Sequence, residues 1–308
     1  MTVGGNIGAN DAANCIGPAV GARLMRYRTA VVMLAIFVIL GALLQGGDVM
    51  KTVGKGIVTN PISPLGVLSA LLCGGFFVTL ATFFKVPVST SQAIVGAVAG
   101  VGIAADLNVD YSKIITIVEC WILCPILSMA LTYVLYRLTR WSMRRFNWAT
   151  RGERVLTILV MVTAAYSAYS LGANNLGNAI GPISSLGDNP IDMRYLIVAG
   201  AVSIAIGALV FGKGVARTVG KSIIPLDLQS AFAVQISAAF GLHLFSMLGI
   251  PVSTSQAVVG ALLGIGLVHG IKTVSRRKIF EILIGWVTAP TLSCLVAYGL
   301  YSLLSQVF

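Results

Sequence analysis

The sequence predicts an all-α polytopic membrane protein, built as an inverted-topology repeat with discontinuous helices and re-entrant helix hairpins. Three observations predict it. Of the 308 residues, 57% are hydrophobic and only 10% charged, against roughly 25% charged in soluble domains. The apolar residues fall in long continuous runs rather than alternating with period two, which argues against a transmembrane β-barrel. Finally, two polar motifs recur 164 positions apart: 8-GANDAANCIGP-18 returns as 172-GANNLGNAIGP-182 and 87-PVSTSQAIVG-96 as 251-PVSTSQAVVG-260. Seven of eleven and nine of ten positions match, and 52-TVGK-55 with 218-TVGK-221 and Trp121 with Trp286 follow in the same order. Self-similarity at a fixed spacing marks a duplication.

The chain can supply about ten helical crossings of roughly 20 residues, five in each half. The first half, residues 1–150, has apolar runs near 1–20, 29–46, 65–85, 91–106 and 112–136 and ends in a basic loop. The second, residues 151–308, has them near 155–171, 195–212, 227–249, 252–268 and 279–305. An odd number of crossings turns the second half over. The charges agree with that reading. The 21–28 loop is basic, while its counterpart near 187–194 holds Asp188 and Asp192 beside Arg194; the 106–110 turn holds Asp106 and Asp110, while its counterpart at 270–278 is basic. By the offset, the first repeat is expected to lack its opening half-helix, because only 1-MTVGGNI-7 precedes the first GAN motif.

The net charge of +11 does not indicate a nucleic-acid partner. Its basic residues cluster in short connections such as Arg137–Arg154, the positive-inside pattern of cytoplasmic loops, and so place the 137–154 loop in the cytoplasm and the chain in the cell membrane. The five cysteines lie in apolar runs without the partners a metal site needs. No cleavable signal peptide is visible, since residues 1–20 carry Asn and Asp where an apolar core would be.

In the first motif Asn10, Asp11 and Asn14 fall at i, i+1 and i+4, so Asn10 and Asn14 share a helical face. Gly8 and Gly17-Pro18 are expected to loosen the helix and free carbonyls. A carboxylate, amide oxygens and freed carbonyls at membrane depth suit a desolvated Na⁺ or a proton, and an intramembrane Asp is costly enough to point to function. The copy carries Asn174, Asn175 and Asn178, so one acid serves the pair.

In the second motif Pro87 and Pro251 end any preceding helix, and the Ser and Thr that follow favour an N-cap. A helix beginning there offers unpaired N–H groups and a positive dipole end. With Ser89, Thr90, Ser91 and Gln92, and Ser253, Thr254, Ser255 and Gln256 in the copy, the result is a hydrogen-bonding cup for an oxyanion. The one basic residue beside these motifs is Lys85, whose counterpart is Gly249. Adjacent cation and anion sites would lower each other's cost in a low dielectric, a basis for symport. Glu119 reads either as a relay or as a snorkelling side chain, and His243 as a satisfied core residue. Gln45, Gln229 and Gln235 read as interhelical hydrogen-bond formers.

With GAND-x-x-N at 8–14, 172-GANNLGN-178 and PVSTSQ in both halves, the sequence resembles the inorganic phosphate transporter (PiT) family over essentially its whole length. The resemblance implies a secondary transporter that imports inorganic phosphate with Na⁺, or in some members H⁺, by alternating access. It implies phosphate held by Ser89, Thr90, Ser91, Ser253, Thr254 and Ser255, and cation sites among Asn10, Asp11, Asn14, Asn174, Asn175, Asn178, Gln92 and Gln256, some of which share in the anion site. Asn175 stands where many members have Asp, so the cation count is open. Sulfate permeases form related branches, and an anion channel is the rival from another class. No membrane-depth nucleophile is paired with a base, so no enzyme and no cofactor beyond the coupling ion is expected. A homodimer is allowed by this reading.

Overall fold

In a computed structural model, residues 2–21, 24–83, 88–145, 151–186, 192–222, 226–270 and 276–307 are described. Ten α-helices occupy them: α1 (Thr2–Gly21), α2 (Tyr27–Lys51), α3 (Pro64–Phe83), α4 (Thr90–Ala104), α5 (Tyr111–Arg145), α6 (Arg151–Ser184), α7 (Met193–Ser222), α8 (Leu228–Met247), α9 (Thr254–His269) and α10 (Arg276–Leu304). Among the described residues, six helices are long and apolar enough to cross a membrane. Helices dominate because a bilayer offers no water to unpaired backbone groups. Residues facing lipid stay apolar, as Leu44, Phe76, Ile122 and Val287 do on the outer surface.

The packing has a simple regularity. α1 lies along α7 and α2 along α6; α4 lies along α10 and α5 along α9. Exchanging the first five helices for the last five leaves this pattern unchanged. Glycines set the closest approaches. A Cβ on Gly8 would stand 1.9 Å from the Ile204 carbonyl oxygen, and one on Gly172 2.1 Å from that of Val38. At the other pair of crossings the same holds for Gly96 against Pro290 (2.3 Å) and Gly260 against Pro125 (2.2 Å). Small residues at such contacts let backbones close on each other where no hydrophobic effect drives association.

Two sequence expectations need correcting. The GAN segments do not interrupt their helices: α1 runs through Gly8 and Pro18, and α6 continues well past residue 171 through Gly172, Gly177 and Pro182. Their glycines serve tight packing against neighbouring helices instead of loosening the backbone. Each proline frees one carbonyl only, since Pro18 and Pro182 lack the N–H that would bond Asn14 and Asn178. In addition, α5 does not stop near residue 136 but continues to Arg145.

The real interruptions fall between α3 and α4 and between α8 and α9. α4 and α9, 15 and 16 residues long, rise about 22–24 Å at 1.5 Å per residue, short of the roughly 30 Å hydrocarbon core. Just past α8 stands Gly249, whose φ of +69° suits a residue without a Cβ; its N–H bonds the Ser246 carbonyl at 2.9 Å and that of Ile250 bonds the Phe245 carbonyl at 2.9 Å. The 52-TVGK-55 landmark forms a π-helical turn, Thr52–Gly56, at the end of α2. Lys85, Pro87 and Asp188 lie outside the described residues.

Candidate functional site

Ser89 and Ser253 cap α4 and α9 as their positions predict. Ser89 Oγ accepts from the Gln92 N–H at 3.2 Å and Ser253 Oγ from that of Gln256 at 3.3 Å. The two helix starts then face each other. Ser91 Oγ donates to the Val252 carbonyl at 2.8 Å, and Ser255 Oγ to the Val88 carbonyl at 3.4 Å. Each bond is the other with the halves exchanged. On one side of the junction, Trp121 on α5 donates its indole N–H to the Pro251 carbonyl at 2.9 Å.

The Asn-rich helices close on this pair. Asn178 Nδ2 donates to Ser91 Oγ at 2.7 Å, and its counterpart Asn14 Nδ2 to Ser255 Oγ at 3.2 Å. Thr90 Oγ1 donates to Asp11 Oδ2 at 2.9 Å; Asn175 Nδ2 donates to the same oxygen at 3.1 Å and reaches Thr254 Oγ1 at 3.1 Å. The two motif classes therefore form one network, not an anion cup standing beside a separate cation cage. Asp11 is 2% exposed, and its hydrogen-bond donors Thr90 and Asn175 are neutral.

One expected residue points away from the centre. Asn174 turns to α8, donating to Ser246 Oγ at 3.0 Å and the Ile250 carbonyl at 3.4 Å. Adjacent positions on a helix point about 100° apart, which separates Asn174 from Asn175. Asn10 is fully buried on α1. Gln92 and Gln256 sit on the floor of an open groove of about 490 Å³ between α5 and α10, walled by Trp121, Trp286 and Pro125.

The donor set suits a small hard cation. The Oδ1 atoms of Asn174 and Asn178 are buried acceptors with no hydrogen-bond partner, as are the Oε1 atoms of Gln92 and Gln256. Burying an acceptor without a partner costs about 1–3 kcal/mol, and a cation bound by oxygen offsets that cost. Asp11 and the carbonyls of Asn14 and Asn178 add further oxygens. For an oxyanion, the two helix N-termini and hydroxyls of Thr90, Ser91, Thr254 and Ser255 supply the donors.

Other candidates separate clearly. Glu119 is exposed on the outer face of α5, away from the centre. His243 is satisfied: Tyr166 Oη stands 2.7 Å from its Nδ1, and Gln45 Oε1 meets its Nε2. Gln235 joins helices, donating to the Cys15 carbonyl at 2.5 Å and accepting from Thr163 Oγ1 at 3.2 Å. The roles of Trp121 and Ser246 were not read from sequence. The recurrence of Trp121 as Trp286 was the available signal for the first; nothing in the sequence marks the second.

Comparison with known proteins gives a consistent result. A model of the Phosphate transporter family matches residues 7–297. A Methanocaldococcus jannaschii protein named "Putative phosphate permease MJ0630" is 31% identical, the alignment covering 95% of this chain and 91% of that one. A Bacillus subtilis protein named "Sulfate permease CysP" is 30% identical, with 97% and 84% covered. Among solved structures, one described as "The sodium-dependent phosphate transporter" matches with a TM-score of 0.89 and 26% identity, covering 100% of this chain and 97% of that one.

Proposed function

The chain belongs to the phosphate transporter family, and on that premise we propose that it imports inorganic phosphate by symport with Na⁺ through alternating access. The observation that carries this reading is the junction of Asp11, Thr90 and Asn175, where an acid from one motif class, a hydroxyl from the other and an amide from the opposite half share one oxygen. A cation bound there and an anion at the helix starts stabilise each other across a few ångströms of low dielectric. Neither is well held alone, and that coupling is what symport requires.

In this reading the oxyanion is bound by Ser89, Thr90, Ser91, Gln92, Ser253, Thr254, Ser255 and Gln256. Na⁺ is bound by Asn10, Asp11, Asn14, Asn175 and Asn178, with Asn174, turned to α8 through its amide nitrogen, offering its unpartnered Oδ1. Residues 1–150 and 151–308 form two inverted repeats whose relative rocking exposes the shared site to each side in turn. The 137–154 connection is cytoplasmic by the positive-inside rule, and the protein resides in the cell membrane.

A second reading, sulfate as substrate, is favoured by the Bacillus subtilis relative and differs only in the oxyanion. Uptake of radiolabelled phosphate into proteoliposomes tests both. Accumulation driven by an imposed Na⁺ gradient and insensitive to excess sulfate supports the proposal. Accumulation driven by a proton gradient alone replaces Na⁺ with H⁺. Full competition by sulfate moves the substrate, and passive flux indifferent to cation gradients indicates a channel.

A further inference from the structure

A second concentration of chemistry lies away from the repeat interface, at the end of α5. That helix has 35 residues, about 52 Å at 1.5 Å per residue, while a hydrocarbon core is about 30 Å thick. One end therefore stands in the headgroup layer and beyond. There Tyr133, Arg137, Arg140, Trp141, Arg144 and Arg145 follow one another at helical spacings that place them on a common face. They line an open depression of about 730 Å³, walled on its other side by Leu267 and Val268 at the end of α9.

The depression is held in shape. Tyr136 and His269 meet edge to face at 5.2 Å, fixing α5 against α9. Arg137 donates to Tyr133 Oη at 2.6 Å, with its guanidinium 5.3 Å from that ring's centroid. Among the described residues, no carboxylate lines the hollow. The start of α8 abuts this end, where Gln229 reaches Met143, but its acid, Asp227, accepts from the Ser230 N–H at 2.8 Å and caps its own helix.

The helix dipole and the orientation rule both favour basic residues here. Neither gathers four guanidiniums on one face around a hollow, where like charges one turn apart repel. We propose that this depression binds the phosphate-bearing headgroup of an anionic phospholipid. Guanidinium forks pair two phosphate oxygens at once, and a headgroup with two phosphates uses all four arginines. The exposed Leu267 and Trp141, 46% and 62% accessible, provide an apolar rim for the first methylenes of an acyl chain. That rim, and the position at the bilayer boundary, select a lipid over a soluble polyanion of the same chemistry.

The test uses the purified full chain in mixed micelles of cardiolipin and phosphatidylcholine, with retained lipid counted by native mass spectrometry. The wild type is expected to prefer cardiolipin by about tenfold, and Arg140→Gln/Arg144→Gln to reduce that to about twofold. Arg26→Gln/Arg28→Gln, exposed basic residues outside the depression, is expected to leave the preference intact; an equal loss in both pairs means bulk charge alone and overturns the proposal. If the glutamine pair aggregates, Arg140→Lys/Arg144→Lys replaces it: charge without the fork is expected to lower the preference about threefold, and an undiminished preference overturns the proposal. Pyrophosphate distinguishes the soluble source. Weak, unsaturable binding to lipid-free protein supports the lipid, and saturable micromolar binding overturns it.

Discussion

Asn175 Nδ2 donates directly to Asp11 Oδ2 at 3.1 Å, although the two residues are 164 positions apart and occupy the same place in the two repeats. The bond therefore ties one half of the chain to the other through matching positions of the sequence repeat. At that point the two halves are chemically unequal. One brings a carboxylate and the other an amide, so a single negative charge serves a site built from two copies of everything else. The acid accepts from both sides, from Thr90 of its own half and Asn175 of the other, and any motion that separates the halves must break one of those bonds.

Replacing Asp11 with Asn tests whether that charge carries the coupling. The amide keeps the shape and leaves an acceptor oxygen for Thr90 and Asn175, so the fold should survive with a loss of about 1–2 kcal/mol, the difference between charged and neutral hydrogen bonds. Na⁺-driven phosphate uptake in proteoliposomes should fall at least about 100-fold, the scale set by removing about 3 kcal/mol of charge interaction. Retention of the wild-type Na⁺ dependence would remove Asp11 from the mechanism.

The two serines at the helix starts should contribute unequally. Ser91 has bonds of 2.8 Å to Val252 and 2.7 Å from Asn178; the counterparts at Ser255 are 3.4 Å and 3.2 Å. Ser91→Ala should therefore destabilise by about 2 kcal/mol and Ser255→Ala by about 1, since each removes two buried hydrogen bonds of those lengths. Thermal unfolding in detergent reads the order, and KM for phosphate should rise in both variants. Equal shifts would show that the asymmetry does not reach the energetics.

Much of this was legible in sequence because the repeat offset carries three-dimensional information. Two motifs that recur at one spacing are matched in their contacts as well, Ser91 to Val252 as Ser255 to Val88, and the caps at Ser89 and Ser253 followed from Pro-x-Ser alone. The helix through the GAN motifs was misread because glycine and proline signal a break in water. Here Gly172 lies against the backbone at Val38 and is needed for packing, and the surrounding helices leave the backbone no alternative partner. The assignment of Asn174 to Ser246 was not legible either, since it depends on how α6 is rotated against α8.

Glycines at the crossings and away from them should respond oppositely to a methyl group. At Gly260 a Cβ would lie 2.2 Å from the Pro125 carbonyl oxygen, which is backbone and cannot step aside; at Gly285 nothing lies within 4 Å. Gly260→Ala should cost about 1–3 kcal/mol by overpacking, lowering both the melting temperature and uptake. Gly285→Ala should be neutral or stabilising by up to about 1 kcal/mol, because alanine favours helix over glycine. A stable Gly260→Ala protein would mean that α5 and α9 are not held as closely as described.

His243 offers a case where a half-buried polar residue should matter for stability and not for coupling. It joins Gln45 on α2 to Tyr166 on α6 from its place on α8, with the ring also packed edge to face against Tyr169 at 5.5 Å. Both ring nitrogens are thus engaged, with donor and acceptor roles set by the tautomer. His243→Ala takes a hydrogen-bond partner from the half-buried Gln45 and Tyr166 and leaves a small cavity, for a loss of about 1–3 kcal/mol. Uptake per folded molecule should remain Na⁺-driven with an unchanged KM. Loss of Na⁺ dependence at full stability would instead place His243 in the transport cycle, with Ser246 one turn away, bonded to Asn174, as the path by which it acts.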